Sequence, residues 1–249
     1  MPTAEPTPAV SRRAALSTLG ALGASLGGAL GAAALAPAAL HAAAGAARPR
    51  GFYDLADADV STPEAALREL AAGNARFAAG QVMAPHRNLA RLKETAAKQA
   101  PFAAFLGCAD SRVPIEIVFD QGFGDVFPVR VAGNIVTPEV TGSLEFGCAV
   151  LGAKVLFVLG HAGCGAVAAT IKGDPVPGQI SSLYQHIAPA VDAANGDLAA
   201  AVSANVRIQA GLLRRSPVVA GLVKEGKLAV VGGVYDLASG RVTMVDARG

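Results

Sequence analysis

Charge is scarce in this 249-residue chain: Asp, Glu, Lys and Arg make up 16% of it, and 21 basic against 19 acidic residues leave a formal net charge of +2. A nucleic acid needs a broad basic face to neutralise its phosphates, and none is available here, which removes nucleic acid from the expected partners. Cysteine is equally sparse. Cys108, Cys148 and Cys164 are too few for a disulfide scaffold, and their odd number leaves at least one thiol unpaired in any scheme. Metal ligation is the better use for two of them. Long apolar runs are also missing beyond residue 50: although 52% of the residues are hydrophobic, Ala supplies much of that total, and the apolar segments are short and punctuated. They read as core elements and not as membrane spans.

The first stretch differs in kind. Polar, Pro-rich residues 1–10 precede Ser11-Arg12-Arg13-Ala14-Ala15-Leu16, and an uncharged Ala/Gly/Leu run continues to about Leu40. A basic start, an apolar middle and a small-residue exit form the layout of a secretory signal, and adjacent arginines ahead of a Gly-rich middle resemble a twin-arginine export signal. The chain thus divides into an export signal peptide at 1–46 and a single catalytic domain at 47–249, with cleavage at Ala42-Ala43-Ala44 or Ala44-Gly45-Ala46. A Sec signal and an uncleaved anchor are the alternatives. The expected location is periplasmic or extracellular, in a bacterium.

From Asp54 to about Gly80, Leu67, Leu70, Ala71 and Phe77 recur at helical spacing behind Ser61-Thr62-Pro63-Glu64. This predicts an amphipathic helical arm with Ser61 and Glu64 as a capping box. A second helix is expected over 89–98. Short apolar runs follow, each ending at unusual polar residues: 102–107 before Cys108, 126–131 before Gly133-Asn134, and 155–160 before His161. Separated by helical stretches such as 139–151, these runs predict an α/β fold, a mostly parallel sheet flanked by helices. Residues 228–234 add a fourth parallel strand and 242–245 an edge strand, while 180–223 reads as helices broken near Asn195-Gly196.

Two of these strands end at residues that carry chemistry, Cys108-Ala109-Asp110-Ser111-Arg112 and His161-Ala162-Gly163-Cys164-Gly165. Ligands of open parallel sheets gather beyond the carboxyl ends of the strands, so both motifs are expected on one edge. Two thiolates and an imidazole suit zinc, and three protein ligands leave a tetrahedral position open for water or substrate. Zinc there lowers the pKa of bound water to about 7, which yields a hydroxide that attacks a small electrophile. Asp110 and Arg112 stand two apart, and an arginine fork would fix the carboxylate, keep it ionised and let it orient that hydroxide. The same carboxylate could instead close the fourth position. Taken singly, each ligand also reads as an ordinary core residue, and a Cys108–Cys164 disulfide is a further alternative. Cys148 reads as core, and His186 and Tyr184 stand as proton-relay candidates no stronger than His86.

With Phe119-Asp120-Gln121-Gly122 and Val131-Ala132-Gly133-Asn134 between them, and Gly73-Asn74-Ala75-Arg76-Phe77 ahead, the two motifs resemble those of the β-class carbonic anhydrases. The resemblance covers essentially all of 47–249. It implies one zinc per chain on Cys108, His161 and Cys164, a catalytic dyad of Asp110 and Arg112, and reversible hydration of carbon dioxide to bicarbonate and a proton. It also implies a homodimer, or a higher assembly of dimers, with substrate sites at the dimer interface. The implied substrate pocket is lined by Gln99 as hydrogen-bond donor, Phe127, Ala132 and Phe146, with Gly165 giving a close backbone approach. Phe146 stands where many relatives carry tyrosine, which removes one hydroxyl contact. Gln99 points to the subgroup in which Arg holds Asp off the metal. Two other readings stay open at this point: a carbon disulfide or carbonyl sulfide hydrolase on the same scaffold, and a non-catalytic zinc- or bicarbonate-binding sensor.

Overall fold

A computed structural model describes residues 58–246. The export segment assigned to 1–46 and its cleavage points lie outside the described residues. Among the described residues no helix is long and apolar enough to cross a membrane.

Five strands form one sheet in the order β2-β1-β3-β4-β5: β1 Ala103–Gly107, β2 Val126–Arg130, β3 Val155–His161, β4 Ala229–Tyr235 and β5 Val242–Val245. The first four are mutually parallel, and β5 returns antiparallel along β4 as the edge. Every residue of β1 and β3 is buried, as expected of central strands covered on both faces. In β2 burial is interrupted, and Pro128, which has no N–H to give a ladder, is tolerated there because β2 is an edge strand.

Helix α1, Pro63–Ala78, covers one face. Its Leu70 packs with Phe105, Phe119 and Phe157, whose ring centroids lie 5.0 to 5.4 Å apart. The other face is covered by α4 Pro138–Glu145, α7 Leu198–Arg214 and α8 Pro217–Lys224, through Leu144, Val206, Leu213 and Val219. Short α2 Leu89–Thr95 and α3 Ile115–Val118 lie in the connections, α5 Gly165–Lys172 follows β3, and α6 Tyr184–Ala193 leads to α7. The break between α6 and α7 falls at Asn195 and Gly196, both with positive φ, at the loop that the sequence marks.

Two local expectations shift. The cap of α1 is Thr62, whose hydroxyl accepts from the Ala65 N–H, and not Ser61, which donates instead to Asp59 at 2.6 Å. Proline has no N–H to satisfy and is preorganised for the first helical position, so the cap falls on the residue directly before Pro63. The helix expected over 139–151 is regular only to Glu145 and then widens into a π turn at Phe146–Val150.

The Gly73-Asn74-Ala75-Arg76-Phe77 and Phe119-Asp120-Gln121-Gly122 motifs turn out to be two halves of one joint. A Cβ on Gly73 would lie 2.0 Å from the Phe119 carbonyl oxygen. Asn74 donates to Val118 O and Gly240 O and accepts from Val242 N, tying α1 to both α3 and β5. Arg76 Nε donates to the buried Asp120 carboxylate at 2.7 Å, which also accepts from the Met83 and Ala84 amides. Gly73→Ala is therefore expected to cost about 1–3 kcal/mol through overpacking against rigid backbone. A urea denaturation midpoint equal to that of the parent protein would show that the joint yields.

Candidate metal centre

Strands β1 and β3 are neighbours in register, with Gly107 opposite Leu159, so Cys108 and His161 emerge side by side at the carboxyl edge. Directly after β3, Gly163 turns the chain with φ +63° and places Cys164 as the residue that starts α5. The Cys108 and Cys164 sulfurs and a His161 ring nitrogen all lie within 4.8 Å of one another, and all three residues are buried. His161 Nδ1 lies 3.0 Å from the Ala162 carbonyl oxygen. A carbonyl only accepts, so the proton sits on Nδ1 and the Nε2 lone pair faces the sulfurs.

His161 Nε2 is a buried polar atom with no hydrogen-bond partner among the described residues. An orphaned imidazole lone pair between two thiols is costly in an apolar interior unless a cation takes it up. The two thiols also act on each other. The hydrogen bond from Cys164 holds the Cys108 thiol well below its ordinary value against the effect of burial, with His161 helping. The same hydrogen bond, with burial, pushes Cys164 well above it. Burial is the largest single influence and disfavours charge on His161, but the neighbouring Cys108 sulfur, the Ala162 carbonyl and the Asp110 carboxylate together outweigh it, so the imidazole is raised overall. Soft sulfur donors with a neutral imidazole fit zinc. All three cysteines are free thiols, so the disulfide alternative is not what the fold contains.

Asp110 stands over this cluster. Its Oδ2 lies 3.8 Å from His161 Nε2, yet both carboxylate oxygens are bonded to Arg112, Oδ1 from Nε at 2.9 Å and Oδ2 from Nη2 at 2.7 Å. The backbone N–H of Arg112 adds a third bond at 2.9 Å. The Arg112 side chain is the main reason that the Asp110 carboxyl is held well below the usual carboxylate range. Sequence reasoning missed the residue that holds this loop from behind. Arg130, opposite Gly107 at the end of β2, donates to the carbonyls of Cys108 and Asp110. A charged residue closing an otherwise apolar strand was the available signal.

The expected pocket residues separate into two groups. Ala132 lies in the turn Ala132–Asn134, whose Gly133 N–H donates to Cys108 Sγ at 3.4 Å. Gly165 opens α5 beside Cys164 with open space where a Cβ would project. Both border the metal centre. Phe127 is level with Ala104, four residues before Cys108, which places it about 13 Å back along the sheet. There it packs near Phe146, with ring centroids 6.4 Å apart. Gln99 precedes β1 and lines a surface groove with Phe123, Val150 and Leu151 at the same amino end. One chain does not bring Gln99, Phe127 and Phe146 to its own metal centre.

The remaining candidates are placed as follows. Tyr184 Oη is buried without a hydrogen-bond partner among the described residues, and His186 lies 3.4 Å from the Gln185 side chain. His86 is bonded to Asp125 at 2.7 Å. Burial pushes the Cys148 thiol up to about 12, as befits a core residue.

Residues 103–242 match the family model described as carbonic anhydrase. A carbonic anhydrase of Mycolicibacterium smegmatis is 38% identical over 194 residues, covering 74% of this chain and 94% of that protein. One from Pseudomonas aeruginosa is 38% identical over 170 residues, covering 62% and 77%. Among solved structures, a tetrameric β-carbonic anhydrase of Sordaria macrospora superposes with a TM-score of 0.59 at 25% identity, over 62% of this chain and 85% of that one. A Coccomyxa β-carbonic anhydrase in complex with acetazolamide gives 0.56 at 27% identity, over 73% and 82%. With the fold, the two motifs and the relatives in agreement, this chain belongs to the carbonic anhydrase family of enzymes, in its β class.

Proposed function

We propose that the chain catalyses the reversible hydration of carbon dioxide to bicarbonate and a proton, with one zinc ion held by Cys108, His161 and Cys164. The observation that carries this reading is the buried, unpartnered His161 Nε2 beside two sulfurs, with a carboxylate 3.8 Å away that is tethered to Arg112. Zinc held by Cys108, His161 and Cys164 would supply Lewis acidity and, from water, a nucleophile near neutral pH. Asp110, ionised and unable to donate, accepts a hydrogen bond from the nucleophile and so fixes the direction of its lone pair. Arg112 keeps that carboxylate turned toward itself and away from the ligands. Ala132 and the bare backbone at Gly165 leave room beside Cys164 for a small, linear, apolar substrate.

The reading includes a second copy of the chain, in a homodimer or a larger assembly of dimers. It would supply Gln99, Phe127 and Phe146 to the neighbouring centre. Exposed Phe123, Phe146 and Val150 near that amino end support it, since a face of that kind favours burial against protein. The layout of residues 1–46 supports twin-arginine export to the periplasm or beyond. If Arg12→Lys with Arg13→Lys leaves the exported fraction unchanged, that route is wrong.

The deciding experiment is zinc stoichiometry together with stopped-flow carbon dioxide hydration on the purified protein. About one zinc per chain with turnover already present near neutral pH is the expected result. Zinc without turnover at any pH would favour the sensor reading, and a protein that takes up no zinc would defeat the ligand assignment.

Metal retention carries its own pH dependence. Both thiols must give up their protons to bind as thiolates, so the zinc dissociation constant is expected to rise as pH falls. Competition with a chromophoric chelator at several pH values measures this, and a flat profile would contradict it.

A further inference from the structure

Helix α7 turns two amide side chains inward. Asn205 and Gln209, one helical turn apart, are 1% and 0% exposed, although their neighbours Val202, Val206 and Ala210 are apolar core. Burying two primary amides in such surroundings is unfavourable unless their polar atoms find partners. They find them chiefly on one segment. Asn205 Nδ2 donates to Gly133 O at 2.8 Å, and Gln209 Oε1 accepts from Val136 N at 2.8 Å. Gln209 Nε2 donates to Asn205 Oδ1 at 3.0 Å and to His186 O at 3.1 Å, which braces Asn205 and ties the pair to α6.

The clamped segment, 133–136, is the one that touches a metal ligand. Gly133 has φ +73°, a backbone conformation that favours glycine, and packs closely against Ile187 of α6. The peptide before Gly133 points its N–H at Cys108 Sγ, and the peptide after it points the Gly133 carbonyl at Asn205, the two being linked through the φ and ψ of Gly133 itself. We propose that Asn205 and Gln209 are positioning residues of the metal centre: by holding the Gly133 carbonyl and the Val136 N–H they fix the turn, and so keep the Gly133 N–H on the Cys108 sulfur. That donor sets how strongly the sulfur gives charge to a bound metal. The proposal rests on Cys108 being a ligand.

A thiolate that accepts a hydrogen bond holds its lone pairs at lower energy, so its charge-transfer transition to a metal lies at higher energy. Cobalt(II) exchanged into the site makes this visible. In Asn205→Leu and Gln209→Met, the thiolate-to-cobalt band is expected to move to longer wavelength, and cobalt and zinc dissociation constants to rise about 10- to 100-fold. A merely structural role would lower the unfolding temperature and leave the cobalt spectrum and dissociation constants where they were; that result overturns the proposal. Should Asn205→Leu fail to fold, Gln209→Met, which removes only the brace, carries the same readouts. A parent protein that takes up no cobalt would defeat the ligand reading itself, an outcome distinct from variants that bind it unchanged.

Discussion

Cys164→Ser is expected to lose its metal and its turnover together. The substitution is nearly isosteric at a buried position, so the fold has little reason to change. A hydroxyl, however, is a hard, weakly acidic donor where a soft thiolate is required. Removing a hydrogen-bond partner of a metal ligand already costs about 10- to 100-fold in affinity, and removing a ligand is expected to exceed that range. Metal content by elemental analysis and stopped-flow hydration on one preparation provide the check. Full metal retention would remove Cys164 from the ligand set.

Arg112→Ala is expected to separate what Cys164→Ser combines. The metal should stay, because Arg112 touches no ligand, while turnover should fall by about 100-fold, because Asp110 loses both side-chain bonds that orient it. The stability consequence has a definite sign. The Asp110 carboxyl is depressed in the folded protein, first by the Arg112 side chain. Its stabilisation is therefore complete above the unfolded value of about 3.9 and disappears as pH falls below it. The variant should therefore lie slightly below the parent in thermal midpoint at neutral pH, since the pair is largely exposed, and converge on it in acid, where Asp110 of the parent is protonated as well. Turnover equal to that of the parent would take the dyad out of the mechanism.

Much of this was legible in the chain. Short, wholly apolar runs ending at Cys108 and His161 read as buried parallel strands, and the expectation that their terminal residues meet at one edge of the sheet agrees with the clustering of Cys108, His161 and Cys164. The edge strand 242–245 was legible as an element, but its antiparallel direction was not, because direction depends on how the 236–241 turn is made. Arg130 carried a signal that was passed over, a charge closing an apolar strand, whereas Asn205 and Gln209 were not found for a physical reason. Each acts on backbone carbonyls or amides distant in sequence, and no side-chain pattern marks which peptide needs a partner. In an Ala-rich helix such as α7, Asn and Gln read as solvent-facing positions, whereas here they face the core.

The three proposed ligands gather at the carboxyl ends of two adjacent parallel strands joined only by a long crossover, and this bears on how the protein is made. Cys164 follows Cys108 by 56 residues. At 5–20 residues per second, a ribosome takes about 3 to 11 s to complete the set. Throughout that interval the nascent chain displays a thiol with no partner, and pairing of β1 with β3 waits longer still, since parallel strands close slowly. The centre therefore records that folding has finished. A chain threaded unfolded through an envelope would have to find its metal on the far side, whereas one exported folded would carry it across.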